Sequence, residues 1–112
     1  MNNELYEYGC FNEHVPQRIV DGVARKVKDF KEMLGITATR STYEIVLDGE
    51  KPKELVNVLE YCERTQTPLL TFSLSTLHPN RSRAIMIAAK LMGTGCEVYF
   101  VDPESTIEVI TQ

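Results

Sequence analysis

Hydrophobic positions along this chain fall into two alternating patterns, short strand-like runs and longer stretches in which apolar residues recur every three or four positions. Leu5–Phe11 carries Leu5, Tyr6, Tyr8 and Phe11, the aromatic bias of a half-buried strand. Glu7 inside it argues against a central position. From Pro16 to Leu34, Ile19, Val20, Val23, Val27, Phe30 and Leu34 form one stripe and charged residues fill the opposite face, which predicts an amphipathic helix stopped by Gly35. Thr42–Leu47 reads as a second strand, ending at the turn signal Asp48-Gly49. A second helix follows from Pro52, with Leu55, Val58, Leu59 and Cys62 on its stripe. Neither helix is expected to place a charge toward the core.

Pro68 opens a third strand, Leu69–Leu74, whose near-continuous apolar start suits the centre of a sheet covered on both faces. The third helix, Pro79 to Met92, contains six apolar residues in succession from Ala84 to Ala89. It is therefore expected either to be deeply buried or to offer Ile85, Met86, Ala89 and Met92 as an interface. Gly93-Thr94-Gly95 ends it, Cys96–Val101 forms the fourth strand, and Thr106–Ile110 is read as a short fifth strand at an edge. No internal repeat or low-complexity segment interrupts this order.

Strands separated by helix-length connections must pair in parallel with right-handed crossovers, so helices cover both faces of one sheet. The expected architecture is a single α/β domain over residues 1–112, a three-layer αβα sandwich around a mostly parallel sheet of four or five strands. Pro16, Pro52 and Pro79 each stand where a strand hands over to a helix, at the first helical position, where a missing N–H costs nothing. A ligand in such a sheet sits beyond the carboxyl ends of the strands. Those ends are Cys10–His14, Asp48–Glu50 and Ser73–His78.

Charge and cysteine content narrow the classes further. A net charge of −4 argues against a surface built wholly to neutralise phosphates, and Arg18, Arg25, Lys26, Lys28 and Lys31 read as the solvated face of the first helix. No apolar run approaches the ~20 residues that span a bilayer. Met1-Asn2-Asn3-Glu4 is neither a basic nor an apolar leader, so a cytoplasmic protein with no membrane partner is expected. Cys10, Cys62 and Cys96 match no paired-ligand motif and read as free thiols.

At the strand ends, Ser73, Ser75, Thr76, His78, Arg81 and Arg83 surround a helix start and make a candidate anion site. The loop lacks the glycines of either phosphate-binding fingerprint, and its hydroxyls, Asn80 and His78 also suit simple capping. A nucleophilic constellation would draw on Ser73 or Ser75, His14 or His78, and Asp48 or Asp102, but no nucleophile-elbow sequence supports it. Cys10, His14 and His78 lack metal-ligand spacing, so neither a metal nor a cofactor is expected.

The order of motifs resembles the catalytic domain of serine recombinases, the resolvases and invertases. That family's first strand carries tyrosine, arginine and serine at alternate positions, and here Tyr8-Gly9-Cys10-Phe11-Asn12 occupies the place. After its third strand the family has leucine-aspartate-arginine-leucine, a small residue and a second arginine, where this chain reads Leu74-Ser75-Thr76-Leu77-His78-Pro79. The resemblance implies a resolvase-like fold with family active-site positions at Cys10, Asn12, Ser75, Thr76 and Pro79.

In the family, the serine attacks a DNA phosphodiester and arginines stabilise the charge that develops on the phosphate. Asn12 has no hydroxyl to attack with, and Cys10, Thr76 and Pro79 stand where arginines belong, so nucleophile and electrostatic clamp are lost together. The family's dimer helix and DNA-binding module would follow the fourth strand, whereas only ten residues follow Asp102, and DNA binding by that route is not expected. What the resemblance implies is a non-catalytic domain acting through a protein partner or self-association, as a regulator or assembly part of a phage or mobile element. The alternative is a small enzyme or binding domain for a phosphate-bearing ligand at Ser73–Arg83.

Overall fold

The computed structural model describes residues 4–36 and 38–111; Met1–Asn3, the start of the segment read as no leader, lie outside them. Four parallel strands, β1 (Glu4–Asn12), β2 (Ala38–Val46), β3 (Leu69–Thr71) and β4 (Val98–Phe100), form one sheet in the order β2-β1-β3-β4. The helices are α1 (Gln17–Leu34), α2 (Leu55–Thr65), α3 (Leu74–Leu77), α4 (Arg81–Gly93) and α5 (Pro103–Ile110). From β1 the chain steps outward to β2, crosses back over β1 to β3, and continues to β4. Right-handed crossovers in opposite directions place helices on opposite faces, giving the three-layer αβα sandwich.

One face is covered by α1, whose Val27 is buried with Leu5 and Leu70, flanked by Val23, Phe30 and Phe72. The other is the larger core, where Leu55, Val58 and Cys62 of α2, Leu74 and Leu77 of α3, Ala84, Ala88 and Leu91 of α4, and Val109 of α5 pack with Tyr8, Leu69 and Phe100. Side chains alternate across a strand. Leu5, Glu7, Gly9 and Phe11 therefore point to the α1 face, and Tyr6, Tyr8 and Cys10 to the other.

Several expectations are corrected. Glu7 does not mark an edge, because β1 lies between β2 and β3 and Glu7 is only 8% exposed. Lys31 of α1 reaches in to place Nζ 2.6 Å from Glu7 Oε1, and the Tyr43 hydroxyl donates to Oε2. The ammonium approaches Oε1 as a charge and not along a hydrogen-bond direction. A helix thus does send a charge to the core side, contrary to the stripe reading. Lys26 is exposed, as expected of the solvated face, with Nζ 5.9 Å from the Phe72 ring centroid. At the ends of the α1 stripe, Ile19 and Leu34 are exposed.

The tail is helix and not strand. Asp102 accepts from the Glu104 N–H as an N-cap and Pro103 occupies the first turn. The third strand stops at Thr71, and Leu74–Leu77 coils into α3. None of Pro16, Pro52 and Pro79 is the first helical residue: Pro16 is the N-cap of α1, and the other two lie before the N-caps Glu54 and Asn80. Gly35 closes α1 at φ 72°, with its N–H on Glu32 C=O and the Ile36 N–H on Lys31 C=O, a Schellman ending.

The start of α2 has an unusual partner. Glu54 makes no side-chain cap, and instead Glu44 of β2 accepts from the Lys53 N–H at 2.9 Å and the Glu54 N–H at 3.2 Å. The same carboxylate accepts from the Tyr8 hydroxyl at 2.6 Å. A strand residue thereby satisfies amides that a helix start leaves open.

Candidate functional site

Because the chain leaves β1 and β3 in opposite directions, the loops after these strands part and leave a crevice, the position at which open α/β sheets bind ligands. A cleft of about 230 Å³ lies there, lined by Tyr8, Gly9, Cys10, Phe11, Tyr43 and Phe72 on its apolar sides and by Ser73, Ser75 and Thr76 beyond β3. Of the positions taken from the recombinase resemblance, Cys10, Ser75 and Thr76 meet in this cleft. Asn12 lines a neighbouring groove between α1 and β2, and Pro79 lines a third depression beyond α3.

Asn12 is held away from the crevice by its own hydrogen bonds. Its Nδ2 donates to Asp48 Oδ1 at 2.9 Å and its Oδ1 accepts from the His14 N–H at 2.9 Å. His14 Nε2 is 3.0 Å from Asp48 Oδ2, and both side chains are well exposed. The His14–Asp48 pair of the nucleophilic constellation therefore forms, but its serines do not join it. Ser73 Oγ and Ser75 Oγ bond to each other at 2.7 Å. Asp102 is occupied by the Glu104 N–H and by the hydroxyl of buried Ser105, whose Oγ accepts from the Leu74 N–H.

The surroundings of Cys10 disfavour its thiolate. Burial pushes its thiol pKa up, the nearby Glu44 carboxylate adds to this, and a hydrogen bond with Tyr8 only partly opposes them. Tyr8 is itself pushed far above the ordinary tyrosine range by burial and by donating to Glu44. Burial also raises Cys62, with help from Cys96, to about 12. All three thiols are free. Among the described residues no group of His, Cys, Asp or Glu is placed to hold a metal ion.

The candidate anion loop is electrostatically mixed. Arg81 forks onto Glu108 of α5, with Nε to Oε2 at 3.0 Å and Nη2 on Oε1. Asn80 caps α4 by accepting from the Arg83 N–H at 3.1 Å, and the Asn80 N–H donates to His78 Nδ1 at 2.9 Å. The depression lined by Ser73, Ser75, His78, Pro79 and Arg81 is also lined by the carboxylates Asp102 and Glu108. Arg83 is exposed. Of the candidate interface positions, Met86, Ala89 and Met92 are exposed along α4 and Ile85 is half-buried.

Sequence reasoning missed Glu44, Ser105 and Glu108. The signal for the latter two was present in Asp102-Pro103-Glu104, a helix-start triplet that puts Ser105 and Glu108 on one helical side. For Glu44 no local signal exists, because its partners come from other elements. No protein-family model matches the chain, and no curated protein and no solved structure matches it.

Proposed function

We propose that this chain is a non-catalytic, recombinase-like domain that acts through protein contacts, as a regulator or assembly part of a phage or mobile element in the cytoplasm. The observation that carries this reading is that the polar groups at the strand ends are committed to one another. Asn12 is bound to Asp48, Ser73 to Ser75, and Arg81 to Glu108. Phosphoryl transfer needs a free nucleophile and unpaired cations aimed at the developing charge. Thr76 and Pro79 supply no cation where the resemblance places arginines. The exposed apolar positions Met86 and Met92 on α4 add surface of the kind partners cover.

Arg81 is also the reason the phosphate-ligand reading stands second: Glu108 neutralises it and Asp102 faces the same depression. The test is incubation with supercoiled DNA, quenched with denaturant, beside a thermal-shift panel of nucleotides and sugar phosphates. Neither a covalent protein–DNA adduct nor a shift is expected. An adduct would overturn the non-catalytic reading. A ligand at a hundred times its Kd adds ~2.7 kcal/mol, so a shift lost in Arg81→Ala would replace this reading with the alternative.

A further inference from the structure

β2 is a nine-residue strand at the edge of the sheet, and its backbone shows which groups are left open. The Glu13 N–H donates to Val46 C=O, so Val46 turns its backbone toward β1. Backbone groups alternate along a strand. Thr42 and Glu44 thus face β1 with Val46, whereas Thr39, Ser41, Tyr43 and Ile45 turn N–H and C=O to the free edge. The next outward N–H, that of Leu47, is already taken by Glu50 Oε1 at 3.0 Å. Within β2 (Ala38–Val46) the open row therefore runs from Thr39 to Ile45, and its midpoint is Thr42.

We infer that β2 pairs antiparallel with β2 of a second copy of this chain, about a two-fold axis at Thr42. Two observations select this register independently. It sets Ser41 opposite Tyr43 and Thr39 opposite Ile45, so every open residue of the row gains a hydrogen-bonded partner, and a shift in either direction loses some. The same register sets Arg40 opposite Glu44 twice over, in the closer, non-hydrogen-bonded pairs of about 4.5 Å Cα separation. Opposite charges thus meet in both halves, as an isologous contact requires.

No proline or lysine interrupts β2, whose two charges, Arg40 and Glu44, are of opposite sign, and it presents Ile45 at 71% and Tyr43 at 42% exposure. In the monomer Arg40 lies over the Tyr61 ring with Nε 3.6 Å from Glu4 Oε1 and is more than half exposed, so reaching Glu44 of the second copy exchanges these contacts for the new pair. This inference deepens the protein-contact reading and rests on it, with the second copy as the partner.

Sedimentation velocity of the full chain over a wide concentration range tests it. A reversible dimer is expected, weakened by salt. Ser41→Pro should make it monomeric, because the lost N–H faces outward and the β1–β2 ladder stays intact. Ile45→Lys serves if the proline variant fails to fold, and far-UV circular dichroism reports on folding. A monomer at all concentrations, or a dimer that survives a folded edge variant, overturns the inference. In the first case the protein-contact reading survives with a different partner on α4; DNA adduct formation, and not sedimentation, decides that reading.

Discussion

Gly9 illustrates how one residue fixes the α1 face of the sheet. A Cβ there would stand 2.3 Å from Tyr43 Cε2, so the Tyr43 ring lies flat over bare backbone and its hydroxyl reaches Glu7. Gly9→Ala must displace the ring, and a loss of about 1–3 kcal/mol is expected in urea unfolding, as for other overpacked sites. Gly22, inside α1 with nothing within 4 Å of its Cβ position, should behave oppositely. Gly22→Ala is expected to stabilise by ~0.5–1 kcal/mol through helix propensity.

The Glu7–Lys31 pair makes a sharper residue-scale prediction. Lys31→Met leaves a carboxylate buried without its countercharge, a change that costs ~3–5 kcal/mol at such sites, whereas Glu7→Leu with Lys31→Met should recover most of it. A double-mutant cycle in urea measures both. This pair also shows where sequence reading stops. A lone acid in an apolar run argues for an edge strand unless something reaches it, and nothing in the spacing says that a lysine twenty-four positions later bends inward.

Element by element, periodicity located the four strands and the three long helices, because burial on one side of each imposes it. It failed where two periods fit one segment. Thr106–Ile110 alternates like a strand, but Asp102 and Pro103 had already fixed a helical start, and capping won over the short alternation. Similarly, Ser73 to Leu77 keeps its leucines at a spacing of three, a helical interval inside an expected strand and loop. The α2 start makes the test at this scale. Glu44→Ala strips the Lys53 and Glu54 amides that lead into α2, and the buried Tyr8 hydroxyl, of their acceptor, and should cost about 1–3 kcal/mol. Asn80→Ala, which removes one ordinary cap, should cost ~1 kcal/mol. Chevron or equilibrium urea curves rank the two.

Across the whole molecule, the parallel sheet and its sandwich were legible because helix-length connections leave no other pairing. Strand order and the partners at the strand ends were not, since both depend on contacts far apart in sequence. The three-layer core makes stability sensitive to alkali. Burial lifts Cys62 from its ordinary 9.0 to about 12, and Tyr8 and Tyr43 are raised as well. The unfolded chain releases these protons first, so stability is full below about pH 9 and falls as pH climbs toward 12. Urea midpoints at about pH 8 and about pH 10.5 should show the fall, and Cys62→Ala should lessen it while the Tyr8 and Tyr43 share remains.

The proposed function lies in self-association through the outer edge of β2, with no chemistry at the strand ends. Residue-resolved amide exchange, on dilute and on concentrated protein, tests this most directly. Protection at Thr39, Ser41, Tyr43 and Ile45 should rise with concentration, while Thr42 and Glu44, already bonded to β1, stay protected at both. Exchange at the four outward amides that ignores concentration would contradict it.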